Sequence, residues 1–141
     1  MIILDTDSLS LLDREKIIES SKLRQNLEKS SPDEIFTTII TFEEHMRGWL
    51  AFIAKSKTME QQIYAYQKLH RFLESYRNTL VIDFDENAAQ IFQNLKSQKI
   101  RIGTMDLKIA AIALSRNAIL VSRNLADFQQ VPELVVEDWT Q

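Results

Sequence analysis

The chain has 141 residues, 17 basic against 20 acidic, a formal charge of −3 and no cysteine, so one ordinary domain over 1–141 is expected, without disulfides, thiolate metal sites or thiol catalysis. The acidic balance denies it the polycationic surface that grips duplex DNA nonspecifically. No apolar run approaches the roughly 20 residues that span a bilayer, and the opening MIILDTD carries an acid where a signal peptide would stay apolar, which makes the cytoplasm the expected location.

Met1–Leu4 is a short apolar run of β type that stops at Asp5-Thr6-Asp7, the pattern of a buried strand whose carboxyl end presents acids. Two helix-compatible stretches follow, SLSLLDRE and Lys16 to about Lys29, the second expected to place Ile17, Ile18, Leu23 and Leu27 on one apolar face. Ser30-Ser31-Pro32 breaks that pattern, and Glu34–Ile40 is rich in β-formers and predicts a second strand. Thr41, with Glu44 three residues later, has the spacing of a capping box for a helix reaching about Phe52. A longer helix is expected over Met59 to Tyr76, where Ile63, Tyr66, Leu69, His70 and Leu73 recur at helical spacing, and the two helices can form a projecting hairpin.

Thr79–Asp83 predicts a third strand, Asp85 a helix cap, and Ala88 to Lys96 an amphipathic helix with Ala88, Ile91, Phe92 and Leu95 inward. After Gly103, Thr104 is the expected cap of MDLKIAAIALSR, a segment apolar on almost every side except at Asp106 and Lys108, as suits a helix at the centre of a domain. Ala118–Ser122 and Leu134–Glu137 complete five strand candidates. Alternating strands and helices predict a three-layer α/β/α sandwich around a mainly parallel sheet. Ligands of such folds gather beyond the carboxyl ends of the strands.

Four acids fall where elements begin at that edge: Asp5 after the first strand, Glu44 and Asp106 in the first turns of their helices, and Asp127 three residues after the candidate cap Asn124. Each also has a structural explanation, as turn acid, capping-box partner or helix-terminus anion, and Asp7 has one as the cap of the next helix. Gathered without basic partners, the four would repel one another, an arrangement made tolerable by Mg²⁺ or Mn²⁺, hard ions that prefer oxygen. His45 and His70 lack a ligand spacing and read as surface or partly buried helix residues, and Glu43 as a solvated one. With only Gly48 and Gly103 there is no phosphate-cradling glycine loop, and no serine nucleophile elbow occurs.

The segments MIILDTDSLSLL, TTIITFEEHMRG, IGTMDLKIAAIAL and ILVSRNLADFQQVPELVVEDW, in this order, resemble the PIN-domain ribonucleases, specifically the VapC-type toxins of bacterial toxin–antitoxin pairs. The family's four acids match Asp5, Glu44 (four residues before Gly48), Asp106 and Asp127. The resemblance implies that these carboxylates hold one or two Mg²⁺, with Mn²⁺ as substitute, and hydrolyse single-stranded or looped RNA to a 3′-hydroxyl and a 5′-phosphate. It further suggests that Thr6 and Ser122 or Asn124 position water, and that Asp7, where many relatives carry Asn, is an additional acid. It also implies a homodimer and a cognate antitoxin covering the site and hairpin, with operator DNA reached only through that complex; Trp49, Phe52, Tyr64 and Tyr76 are candidate contacts. Lys96, Lys99, Arg101 and Lys108 are candidates for the RNA backbone. Two rivals stand beside this reading. MIILDTDS also resembles the aspartate motif of haloacid dehalogenase-like phosphatases, whose later paired-acid motif is missing, and a degenerate PIN-like scaffold would bind RNA or protein without cutting.

Overall fold

The computed structural model describes residues 1–13 and 18–141, so the expectations that rest on Arg14, Glu15, Lys16 and Ile17 lie outside the described residues. Five short strands, β1 (Ile2–Leu4), β2 (Ile35–Thr38), β3 (Leu80–Ile82), β4 (Ile119–Val121) and β5 (Val135–Glu137), form one sheet in the order β3-β2-β1-β4-β5. Every pairing is parallel. Ile3 stands opposite Phe36 on one side and Leu120 on the other.

The pleat then decides which residue meets which layer. Ile3 and Leu120 point into a cluster with Ala88 and Leu95 of α5 (Glu86–Ser97) and with the buried side of α6 (Thr104–Ser115). Their neighbours Ile2, Leu4 and Val121 point the opposite way, onto Leu11 of α1 (Thr6–Leu11) and onto Leu23 and Leu27 of α2 (Ile18–Leu27). The result is the expected α/β/α sandwich. Strands of three or four residues contribute few ladder bonds, so burial carries most of the stability, at roughly 2 kcal/mol for each fully covered Ile or Leu.

Beside these layers, α3 (Ile39–Lys55) and α4 (Met59–Tyr76) pack as a hairpin, and α7 (Leu125–Phe128) follows β4. Three expected helix starts move. Strand β2 ends at Thr38, whose hydroxyl accepts the Thr41 N–H at 3.1 Å, so Thr38 caps α3 and Thr41 lies inside its first turn. Gly103, rather than Thr104, occupies the cap position of α6 and offers no side-chain bond there. Asp5 caps α1 by accepting the Ser8 N–H, which removes that role from Asp7.

One apolar face differs from expectation, and a second is turned outward. Ile18 is exposed at the start of α2 while Leu23 and Leu27 are buried. On α4 the stripe Met59, Ile63, Tyr66, His70 and Leu73 faces outward, and Ala65 and Phe72 are covered instead. The two stripes lie about 120° apart around the helix at 3.6 residues per turn. Because α4 packs chiefly on α3 through its narrower face, its larger apolar stripe is left over.

Candidate active site

In the order β3-β2-β1-β4-β5 the chain leaves β1 toward β2 and β4 toward β5, in opposite directions. A crevice therefore opens beyond the carboxyl ends of β1 and β4, the usual ligand position of an open parallel sheet. Its two walls are joined: the Asp5 N–H donates to Val121 O at 3.2 Å and the Ser8 hydroxyl to the same oxygen at 3.1 Å.

Asp5 sits on this seam, only 6% exposed. Its Oδ1 accepts the Ser8 N–H at 2.8 Å, so helix capping engages one of its oxygens. Burial pushes the Asp5 pKa up, while the Ser122 hydroxyl and Ser8 pull it back and Asp7 adds a small upward repulsion. Asp7 itself is held in a two-pronged pair with Arg123, at 2.8 and 3.0 Å, which ties the first turn of α1 to the loop after β4. Arg123 escaped the sequence reading because its partner is distant in the chain and no local pattern marks it.

Glu44 lies in the second turn of α3, half-buried, and accepts the Thr6 hydroxyl at 2.6 Å. The capping-box explanation for Glu44 is therefore removed by the shifted helix start. Glu43 points away and pairs with Arg47 at 2.5 Å. Asp127 accepts from the Asn124 side chain at 2.9 Å, and the Asn124 N–H donates to Ser122 Oγ at the same distance, which folds the loop after β4 around the acid.

Asp106, in the first turn of α6, registers the other three. Its pKa is raised to about 6, chiefly by burial and then by the negative charges of Glu44, Asp5 and Asp127. The charges of three acids from segments far apart in sequence are thus felt at Asp106. Among the described residues none of the four makes an ion pair with Lys or Arg.

Oxygen donors, mutual repulsion and the lack of a protein counter-charge match the chemistry of a hard divalent cation. As oriented here, no three acid or histidine side chains among the described residues stand close enough to form a metal cage. The histidines offer no substitute. His45 is half-buried with both ring nitrogens engaged, by Ser10 Oγ at 2.8 Å and Tyr76 Oη at 3.0 Å, and burial lowers its pKa. His70 is exposed on α4, 3.7 Å from Glu74.

Residues 2–134 match the PIN domain family. The chain belongs to it. Among its relatives, ribonuclease VapC1 of Haemophilus influenzae (strain R2866) is 33% identical over 111 residues, 77% of each chain. Ribonuclease VapC2 of Rickettsia felis is 33% identical over 91 residues, which span 62% of this chain and 63% of that protein. In three dimensions the chain is similar to VapBC2 of Rickettsia felis, solved bound to a DNA fragment from its promoter, with a TM-score of 0.70, 26% identity and 99% of both chains covered. This PIN domain is closely related to the VapC-type toxins of bacterial toxin–antitoxin systems.

Two further surfaces of the PIN domain flank the acids. Between α1 and the hairpin lies a cleft of about 700 Å³ lined by Leu9, His45, Trp49, Arg71, Phe72 and Tyr76 among others. Phe42, Phe72 and Tyr76 pack ring on ring beneath it, with centroids 5.0 to 5.5 Å apart. Of the four aromatics singled out in the sequence, Trp49 and Tyr76 line this cleft, whereas Phe52 and Tyr64 are exposed farther along the hairpin, 6.1 Å from each other. On the α5–α6 side, Lys108 lies 5.9 Å from the Phe84 ring and 5.7 Å from Phe92, and Lys96 lies 5.5 Å from Phe92. Lys99 and Arg101 are exposed in the connecting loop.

Proposed function

We propose that the chain is a Mg²⁺-dependent endoribonuclease, with Mn²⁺ as substitute, acting as the toxin of a toxin–antitoxin pair. The observation that carries this reading is the placement of four acids where segments begin around the β1/β4 crevice, Asp5 capping α1, Glu44 bonded to Thr6, Asp127 to Asn124 and Asp106 in the first turn of α6, whose pKa the other three raise. Holding four acids together without a protein cation costs stability, and a metal site is the physical reason to retain such an arrangement. Membership of the PIN family, and the name ribonuclease on its VapC relatives, favour RNA over other phosphodiesters.

Asp5, Glu44, Asp106 and Asp127 would hold the metal. When bound, one or two such ions lower the pKa of an attacking water and neutralise charge developing on the phosphoryl oxygens. The chain's own part is to orient and exclude. Ser8 fixes one oxygen of Asp5, Thr6 one oxygen of Glu44, and Asn124 one oxygen of Asp127. Lys96 and Lys108, which lie over the Phe84 and Phe92 rings, can meet phosphates on the flank.

The cleft beside the hairpin suits a cognate antitoxin, because it combines Trp49 and Tyr76 with the cations Lys68 and Arg71. Contact with operator DNA only through the antitoxin complex belongs to the same reading, supported by the likeness to a promoter-bound VapBC assembly, and a homodimer and a cytoplasmic setting complete it. The phosphatase reading is set aside because the chain belongs to a different family.

The test is cleavage of a panel of end-labelled structured RNAs by antitoxin-free protein and its Asp106→Asn variant, in Mg²⁺, in Mn²⁺ and in EDTA. Discrete metal-dependent cuts that the variant loses are expected. Equal behaviour of the two folded proteins would favour the scaffold that binds without cutting.

A further inference from the structure

Thr6 Oγ1 lies 2.6 Å from Glu44 Oε1 and 3.1 Å from Thr41 Oγ1, and Thr41 Oγ1 lies 3.3 Å from Thr38 Oγ1. Thr38 and Thr41 are fully buried and Thr6 is half-buried. Each hydroxyl has one proton to donate, and an ionised carboxylate only accepts. The Thr6 proton must therefore point to Glu44, which leaves the Thr6 oxygen to accept from Thr41. Thr41, having given its proton to Thr6, accepts in turn from Thr38. The Thr38 oxygen is already an acceptor for the Thr41 N–H at 3.1 Å, so its own proton is free for this bond. All three hydroxyls are thus oriented one way, from the end of β2 through the first turn of α3 to α1 and onto Glu44.

Helix capping accounts for only one of them. Thr38 alone caps α3, and a valine would fill the Thr41 position at nearly the same volume without bringing a hydroxyl into a site with no water contact. A buried hydroxyl is costly unless bonded, and the partners of the Thr41 hydroxyl are two other hydroxyls. We propose that Thr38, Thr41 and Thr6 form a positioning relay, a one-way hydroxyl chain that holds Glu44 by its Oε1 and so fixes the orientation in which Oε2 is offered to the cation. Among the described residues Glu44 accepts no other hydrogen bond. Successive hydroxyls in such a chain polarise one another, so the last donor is stronger than an isolated threonine would be. This inference rests on the metal-nuclease reading and extends it to two residues that touch neither metal nor RNA.

The experiment compares wild type, Thr41→Val, Thr41→Ser, Thr6→Val and the Thr6→Val/Thr41→Val double variant. Three readouts are taken: thermal melting, Mn²⁺ affinity without RNA from the electron-spin resonance of free Mn²⁺, and kcat and KM on a cleaved RNA. Thr6→Val is expected to weaken Mn²⁺ binding about 10-fold or more, within the usual range for a group that orients a metal ligand. Thr41→Val should weaken it about 3- to 10-fold and lower kcat with KM unchanged, while Thr41→Ser behaves as wild type. The double variant should be no worse than Thr6→Val, because the chain is already cut. Wild-type Mn²⁺ affinity in folded Thr41→Val, or fully additive losses in the double variant, would overturn the relay. If Thr41→Val melts early, Thr6→Ser against Thr6→Val reads the final link, and equal Mn²⁺ affinity in those two overturns it as well. A wild-type protein that neither binds Mn²⁺ nor cuts RNA overturns the nuclease reading and the relay with it, an outcome separate from failure of the relay alone.

Discussion

Helices α6 and α4 are both rich in apolar residues, yet they spend them differently. Of the 12 residues in α6, Leu107 and the run from Ile109 to Ala113 are buried, whereas α4, with 18 residues, buries only Ala65 and Phe72. The cause is position rather than composition. Helix α6 packs on the sheet beside α5 and also meets α3, so most of its surface meets protein, while α4 packs chiefly on α3 by one narrow face. Apolar residues in α6 are consumed by the fold and hold Asp106 at the crevice. Those on α4 leave a stripe of Met59, Ile63, Tyr66 and Leu73 on the surface. The interior helix positions the chemistry, and the hairpin presents surface.

The strongest way to break this comparison is a cavity in α6. Ile112 is fully buried, and Ile112→Ala should cost about 2 to 5 kcal/mol of stability by denaturant titration. A value near zero would mean that α6 is not the central helix described here.

Asp106→Asn should produce effects of opposite sign at the head of that helix. Cleavage should fall roughly 100-fold or more, the several kcal/mol expected when a metal site is crippled. The metal-free protein should nonetheless become more stable. Moving the Asp106 pKa from 3.8 to about 6 sets an upper bound of about 3 kcal/mol, and its partial exposure to solvent reduces this to about 1 to 2 kcal/mol. A melting temperature that rises in the variant, together with Mg²⁺ stabilising only the wild type, would sharpen the assignment of Asp106.

The same group sets a pH dependence. Because the folded pKa lies above the unfolded one, the folded state binds the proton more tightly, and Asp106 contributes stability that is complete below about pH 4 and lost as pH rises through about 6. Asp5, also shifted upward by burial, acts in the same direction. Metal-free wild type should therefore melt higher at pH 5 than at pH 7.5, and Asp106→Asn should show a smaller difference. A melting profile identical in the two proteins would remove Asp106 as its source.

The hairpin should respond least. Gly48 lies inside α3 with open space around the position of a Cβ, so Gly48→Ala should stabilise the isolated chain by about 0.5 to 1 kcal/mol. Leu73→Ala, on the exposed stripe of α4, should change stability by less than about 0.5 kcal/mol, and a loss approaching that of Ile112→Ala would show that α4 is packed against something in the free protein.

What the sequence determined by itself was short in range. The alternation of β-rich runs with helical periods, the all-round apolarity of α6, Asp5 at a strand end and Asp106 in a first turn are all properties of a few neighbouring residues, and nearest neighbours largely decide them. The sequence pointed to Thr41 as the cap of α3, from its spacing to Glu44. The pairing of Thr38 with Ile82 on β3, which keeps the chain extended up to Thr38, moved the cap to Thr38 instead. The same holds for the outward stripe on α4, for Arg123 meeting Asp7, and for Thr6 meeting Glu44. Each depends on which distant segment the assembled sheet brings alongside, and local propensity carries no record of that. The strand order with its crevice between β1 and β4 was likewise a tertiary decision, and it is what turned four separately explicable acids into one candidate site.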